Sequence, residues 1–517
     1  MVSDNRQRGT LAELGIAVLV LIPAYFVFYH SISGDACIYF TYFRNLFSLP
    51  FSFQPHTVSF GAASPLHVII NAPIHALFGH AWLPVTKAVN LFLVALGIVF
   101  LNRAIKGDLV VLLLIALLAL LNPILFLSVS QLYETGLAFL AIATTYYLLK
   151  CGRRNEALIA SGLLYLVRPE LLAVTVALDV YILLISGDRK RTLLFILYSL
   201  IPLVVYHLYM YVGSGELIPS NIIARAFRAQ ESGMPWPERV AYTWNELGGS
   251  ESIVYILAVL AILFMFVEKK IRTQKEGFLL FLPLVVVYLI FPPGRYVARY
   301  LLPIMPMLIV LVVETVRSIL RTRYAIPVLL VLILAAYAGW FAEYCRNPRY
   351  DLDRVLLRDL AGRLNELADT GDKVLLYEIQ GQFSIDAVCL SADATVGGQM
   401  LDAVMGRESF EDAIRSEGVR FVVTSNAFNY RSIFNDTLLE NLYLHDLASS
   451  VGDTTEIRGI RFRKILTNEA FSDPAQYVEK AIEGGNVEDT VRVYGEGDPL
   501  TSGSHFFWNS VYEVVTE

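Results

Sequence analysis

Along the first 340 or so positions, apolar runs of close to twenty residues recur between short polar breaks, and after about position 343 they stop. A run of about 20 apolar residues matches the thickness of a bilayer's hydrocarbon core. The pattern therefore predicts membrane-spanning helices near 11–30, 82–101, 108–127, 131–149, 153–168, 170–186, 191–213, 252–268, 276–293, 298–316 and 323–342. The stretch 65–79 is shorter and carries His67, Asn71, His75 and two prolines, which suits an interfacial or re-entrant segment that does not span. Beyond 343 the pattern predicts an amphipathic helix at 352–368, the turn Asp369-Thr370-Gly371-Asp372 and a strand at 373–377. A second helix at 410–416 and a strand at 419–424 follow. The expected fold class is a polytopic α-helical membrane module, residues 1–342, followed by a soluble α/β domain, residues 343–517.

Composition agrees: 56% of the chain is hydrophobic and only 17% charged, against about 25% charged in an ordinary soluble domain. Charge then gives the spans a direction. Basic clusters at Arg103 with Lys106, Lys150 with Arg153 and Arg154, 189–191, 269–275 and 317–323 must share the cytoplasmic face, because basic loops are retained there. With the N-terminus inside, an odd number of spans sends the C-terminal domain to the extracytoplasmic side, together with two long loops at 31–64 and 214–251. Long loops are where function concentrates. The first apolar run lacks a small-residue cleavage site, so it is read as a retained helix. The segment from Glu343 onward holds 30 acidic and 16 basic residues, which argues against nucleic acid as a partner.

Four cysteines, Cys37, Cys151, Cys345 and Cys389, show no metal-ligand spacing. They read as separate thiols, with a Cys345–Cys389 disulfide as the alternative for an extracytoplasmic domain. His56 and His67 lack ligand partners at useful spacing and suggest acceptor contact or a surface role over metal binding. No phosphate-binding glycine loop, dinucleotide fingerprint or serine-hydrolase elbow is present.

The first long loop begins Ser33-Gly34-Asp35-Ala36-Cys37-Ile38-Tyr39-Phe40-Thr41-Tyr42-Phe43-Arg44-Asn45. At helical spacing this gives a broad aromatic face including Tyr39, with Arg44 and Asn45 turned toward water or lipid headgroups, so the helix is expected along the membrane surface. Asp35 either caps that helix or acts as a general base, and position alone leaves both open. Glu134, at the outer surface of an apolar segment, is either a substrate-binding carboxylate or a water-facing helix start. Asp179, within a span, is expected to make a structural hydrogen bond.

The order of short motifs adds a resemblance. Gly34-Asp35-Ala36, Arg44-Asn45-Leu46, Phe53-Gln54-Pro55, Ala63-Ser64-Pro65-Leu66, Tyr133-Glu134-Thr135, Arg168-Pro169-Glu170, Pro219-Ser220-Asn221 and Arg299-Tyr300-Leu301-Leu302-Pro303 follow one another along residues 10–310. This order resembles the GT-C membrane glycosyltransferases, and most closely their arabinofuranosyltransferase-like branch. The resemblance implies a polyprenyl-phosphate sugar donor, a glycan or glycolipid acceptor outside the cell membrane, and Asp35 as the catalytic carboxylate. Relatives commonly show two adjacent acids where this chain has Gly34-Asp35, so metal-independent inversion without a cofactor is the expected mechanism. The leaving phosphate needs positive charge, and guanidinium holds phosphate with paired hydrogen bonds; the candidates on the external side are Arg225, Arg295, Arg299 and Arg168, with a solvated loop charge the alternative for Arg225 and interfacial anchoring the alternative for Arg295 and Arg299. Tyr39, His56, Glu134, Glu170 and Asn221 complete the expected substrate-binding set. Arg168 and Glu170 pair with each other, cap a helix or contact ligand, all three readings being open. The competing functions are a lipid or sugar transporter, which is expected to show inverted repeats that are not evident here, and a non-catalytic lipid-binding scaffold.

Overall fold

The structure is a computed structural model that describes residues 2–27, 39, 42–54, 57–58, 62–78, 81–130, 133–215, 217–218, 235–238, 257–260, 262–263, 275–290, 301–319, 330–331, 334–335, 337–338, 364, 367, 372–376, 393–395, 410–425, 454–457, 459–467 and 509–515. The chain forms two compact units. One comprises Met1–Ser31, Ala63–Tyr209 and Met234–Arg346, and the other Ile32–Ala62, Met210–Gly233 and Asn347–Glu517.

The first unit is helical. Its elements are α1 (Val2–Val27), α2 (Pro65–Phe78), α3 (Trp82–Ala104), α4 (Leu109–Leu120), α5 (Pro123–Ser130), α6 (Thr135–Lys150), α7 (Arg154–Gly162), α8 (Leu164–Val167), α9 (Leu172–Ile185), α10 (Arg189–Ser214, of which the part to Tyr209 belongs here), α11 (Lys275–Ile290) and α12 (Met305–Ile319). Among the described residues, three helices are long and apolar enough to cross a membrane: Gly9–Phe26 within α1, α3 and α10. Helices α2 and α4 are apolar but shorter. The expected spans at 252–268 and 323–342 fall mostly outside the described residues.

Several of the expected spans are broken, and proline explains where. Pro65, Pro123, Pro169 and Pro303 each stand in the first turn of a helix, where the missing N–H costs nothing. Side chains assist: Asn122 Oδ1 accepts from Leu125 N at 3.1 Å, and Ser64 Oγ accepts from His67 N at 3.4 Å. Proline also keeps the residue before it out of helical geometry. Arg168, ahead of Pro169, is accordingly extended (φ −156°, ψ 132°) and ends α8 before the 3-10 turn Pro169–Leu171 begins. Thus the region expected as one span at 153–168 is two short helices, α7 and α8, and the one expected at 108–127 breaks at Asn122.

Close contacts fix the helix directions. An added Cβ at Gly136 would lie 2.6 Å from the Asn90 carbonyl oxygen, one at Gly97 would meet the Phe139 ring, and Phe100 stacks on Tyr147 at 5.3 Å. Paired positions rise together along both helices, so α3 and α6 run parallel, with α4 and α5 bringing the chain back. Helix α1 runs opposite to α3: Glu13 pairs with Arg103, and Tyr25 Oη donates to the Pro84 carbonyl at 3.1 Å. Lys150 pairs with Glu276 at 3.2 Å, Lys275 lies over the Tyr181 ring, and Arg317 donates to the Ile105 carbonyl. Gly162 packs on Ser199, and Tyr165 meets His207 at 2.8 Å, so α7 and α8 run parallel to α10. Members of each basic cluster, among them Arg103, Lys150, Arg153, Arg189, Lys275 and Arg317, therefore gather at one end of the unit. Both ends of α2 stay at the other: Ser64 Oγ reaches the Leu166 carbonyl, and the His75 ring lies 5.6 Å from Trp82.

The second unit contains a two-stranded antiparallel pair, β1 (Ser52–Gln54) with β2 (Thr57–Val58), and a six-stranded sheet of order β4-β3-β5-β8-β7-β6. Its strands are β3 (Lys373–Leu376), β4 (Asp393–Thr395), β5 (Val419–Ser425), β6 (Thr454–Ile457), β7 (Ile460–Thr467) and β8 (Asn509–Val515). Strands β4, β3 and β5 are parallel, and the rest antiparallel. Helix α13 (Phe410–Glu417) ends at Gly418, whose φ of +63° makes the turn into β5. Along β7, Ile460, Phe462 and Leu466 are buried while Arg461 and Arg463 are exposed, the alternation of a sheet covered on one face. The strands expected at 373–377 and 419–424 and the helix at 410–416 have counterparts in β3, β5 and α13. The helix expected at 352–368 lies almost wholly outside the described residues.

Candidate functional site

The end of the helical unit opposite the basic clusters collects segments that the sequence kept far apart. Ser64 lies against Leu166, so the start of α2 meets α8. Tyr133-Glu134-Thr135 opens α6, and the 3-10 turn Leu302–Ile304 packs against α6. Arg168-Pro169-Glu170 stands between α8 and α9. Four of the eight short motifs thus lie together.

At their meeting point Arg168 is placed between two carboxylates. Its Nη1 is 3.5 Å from Glu134 Oε1, and its Nη2 is 2.6 Å from Glu170 Oε1. The same Glu170 oxygen accepts from Tyr288 Oη at 3.1 Å, which ties α11 to the group. The Arg168 and Glu134 side chains are 4% and 5% exposed, and Glu170 is 16% exposed. Charges this dry persist only when paired. The pairing follows from the local chain: Pro169 forces Arg168 out of the helix and brings Glu170 into the turn beside it.

Two carboxylates lie against the Arg168 guanidinium, and Lys87 on α3 is a second buried cation at this end of the unit. Arg168 is an organising cation, and the mutual pairing with Glu170 is the arrangement observed. Glu134 occupies the cap position of α6, yet its side chain makes no capping hydrogen bond and is buried, so it is no water-facing helix start. Asp179 Oδ1 is buried and has no hydrogen-bond partner among the described residues, against the structural hydrogen bond expected for it.

Tyr39 belongs to the second unit, buried and stacked on Phe43 at 6.3 Å. Asn45, expected to face water or lipid headgroups, is instead buried and donates to the Ser52 carbonyl at 3.2 Å, while Arg44 is exposed as expected. The sharp turn that carries the chain into β1 draws the Asn45 amide inward. Asp35, His56, Asn221, Arg225, Arg295 and Arg299 lie outside the described residues, as do Cys37, Cys345 and Cys389. Cys151 is a free, exposed thiol. Among the described residues no cluster of three metal-ligating side chains occurs.

Several polar residues at this end escaped the sequence reading. Lys87 on α3 is 2% exposed, one turn before Asn90, whose backbone touches Gly136. Asn90, Thr86 and Thr135 are buried, and their side-chain polar atoms have no hydrogen-bond partner among the described residues. Tyr288 is the fourth member of the ionic group. Lys87 had a legible signal, a charge inside an apolar run. Asn90, Thr86, Thr135 and Tyr288 had none, because polar residues of these types are common on helices facing lipid headgroups or neighbours.

Compared with protein-family models, the chain matches none, and compared with curated proteins it matches none.

Proposed function

We propose that this chain is a polytopic membrane glycosyltransferase of GT-C type that moves a sugar from a polyprenyl-phosphate donor to a glycan or glycolipid acceptor on the extracytoplasmic side. The observation that carries the reading is the meeting, at one end of the helical unit, of four motifs chosen for their order alone: Ser64-Pro65, Glu134-Thr135, Arg168-Pro169-Glu170 and Leu302-Pro303. Two of these motifs supply the ionic group, and the other two pack at the same end of the unit. The gathering of basic residues at the opposite end supports an orientation with that end cytoplasmic. About eleven spans, with α2 re-entering from the outer side, complete this topology.

In this mechanism Asp35 takes the proton of an acceptor hydroxyl, and the resulting oxygen nucleophile attacks the anomeric carbon. The bond from that carbon to the phosphate oxygen breaks on the opposite face, and the lipid phosphate leaves with the bonding pair. The configuration inverts. Arg225, Arg295 and Arg299 are the cations assigned to the leaving phosphate. Full-length protein in nanodiscs, offered a panel of polyprenyl-phosphate sugars, is expected to transfer one of them. Asp35→Asn is expected to remain folded while losing transfer by at least about a hundredfold, the scale of a lost general base. Unchanged turnover in that variant removes Asp35 from the mechanism. Movement of the lipid across the bilayer without transfer identifies a flippase instead.

A further inference from the structure

We infer that Glu170 is the carboxylate that binds a hydroxyl of a neutral sugar, and that Arg168 and Tyr288 are its positioning residues. The inference deepens the glycosyl-transfer reading and rests on it for the identity of the ligand.

Three observations point the same way. The first is the division of labour between the two oxygens of Glu170. Oε1 is pinned by two donors, Arg168 Nη2 at 2.6 Å and Tyr288 Oη at 3.1 Å. Oε2 has no hydrogen-bond partner among the described residues, on the most exposed of the three charged side chains. A carboxylate oriented through one oxygen and open at the other is a fixed acceptor. Hydroxyl groups are the donors that suit it.

The second observation is charge. The two carboxylates Glu134 and Glu170 are balanced by Arg168 and the buried Lys87 at this end, a neutral total that suits the uncharged, hydroxyl-rich part of a substrate. The third is the surroundings. The Asn90 amide and the Thr135 and Thr86 hydroxyls lie within about one turn of Glu134 along α6 and α3, and their polar atoms have no hydrogen-bond partner among the described residues. Buried amides and hydroxyls are kept without protein partners where something else supplies the bond.

The test uses the full chain in nanodiscs and measures equilibrium binding of neutral methyl pentosides and hexosides, with inorganic phosphate as competitor. At least one glycoside is expected to bind, phosphate is expected not to compete, and Glu170→Ala is expected to weaken binding roughly tenfold to a hundredfold, the range of a hydrogen bond to a charged group. Among monodeoxy analogues of that glycoside, one is expected to lose affinity with the wild type and to lose nothing further with Glu170→Ala, because both changes delete the same contact. Glu170→Gln, which keeps the shape, and Tyr288→Phe, which keeps the ring, guard against misfolding of the alanine variant. Tyr288→Phe is expected to raise KM about threefold to tenfold with kcat retained. Equal binding by wild type and Glu170→Ala, additive losses for every analogue, or binding of phosphate in place of glycosides overturns the inference. Glycoside binding without transfer overturns the transferase reading alone, and transfer indifferent to Glu170→Ala overturns this inference alone.

Discussion

The two ends of the helical unit use the same kind of ion pair in opposite surroundings. At the basic end Arg103 and Glu13 are each 29% exposed, and Lys150 with Glu276, Arg153 with Glu156 and Arg317 with Glu314 are also reached by water. At the other end Arg168 is sealed between Glu134 and Glu170. Exposed pairs contribute about 0–1 kcal/mol, because water and salt compete for the charges. A buried pair contributes little over an apolar replacement, yet removing one partner strands the other. The basic end can therefore be rebuilt cheaply, whereas the opposite end is costly to alter and holds its groups in one arrangement.

The largest expected effect follows from removing the central cation. Arg168→Ala leaves two carboxylates in a dry site and is expected to destabilise the unit by about 3–5 kcal/mol, read as a lowered midpoint in thermal unfolding. Arg168→Lys recovers part of this, since one ammonium lacks the planar fork that serves both acids. Adding Glu134→Gln to Arg168→Ala is expected to restore some stability by removing one stranded charge. A cost below about 1 kcal/mol for Arg168→Ala would make this end as wet as the basic one and dissolve the contrast.

Much of this difference was legible in the sequence, and the parts that were not share a cause. Arg168-Pro169-Glu170 announces a helix break beside two charges, and Ser64-Pro65 and Asn122-Pro123 announce two more, because proline constrains its own residue and the one before it. The basic clusters are equally plain, and so are β3, β5 and α13, whose alternation and turn residues are local signals. What hid was everything that depends on tertiary approach. Nothing in the sequence says that Tyr288 on α11 reaches Glu170, or that Asn90 touches the start of α6. The full setting of Arg168 was hidden for the same reason: its sequence neighbour Glu170 was visible, but Glu134, 34 positions earlier, was not recognisable as a second carboxylate beside its guanidinium. The fate of Asn45 was also set by a partner seven residues on, Ser52, whose carbonyl draws it inward.

A second effect tests how tightly the inner end is built. Gly136 in the first turn of α6 faces the backbone of Asn90, and an added Cβ would lie 2.6 Å from a carbonyl oxygen that cannot swing aside. Gly136→Ala is expected to push α6 from α3 at a cost of about 1–3 kcal/mol. Because Glu134 lies two residues before Gly136, the shift also disturbs its pairing with Arg168. Combining Gly136→Ala with Arg168→Ala is then expected to cost less than the two separate losses together, since neighbours in one network do not act independently. Strict additivity would mean that α6 packing and the ionic group are uncoupled.

The smallest effect is expected at the basic end, and it completes the contrast. Glu13 on α1 and Arg103 on α3 meet at 3.0 Å with both side chains partly in water. In a double-mutant cycle of Glu13→Gln and Arg103→Gln, the coupling is expected to be about 0.2–1 kcal/mol. It should fade as salt is raised, because a Debye length near 3 Å at 1 M screens an exposed pair. The Arg168–Glu134 coupling, shielded from ions by α3 and α6, should persist under the same salt. Salt thus separates the two ends even where their energies overlap. A Glu13–Arg103 coupling that is large and indifferent to salt would place that pair, too, in a dry environment, and the division of the unit into a tolerant end and a constrained one would fall.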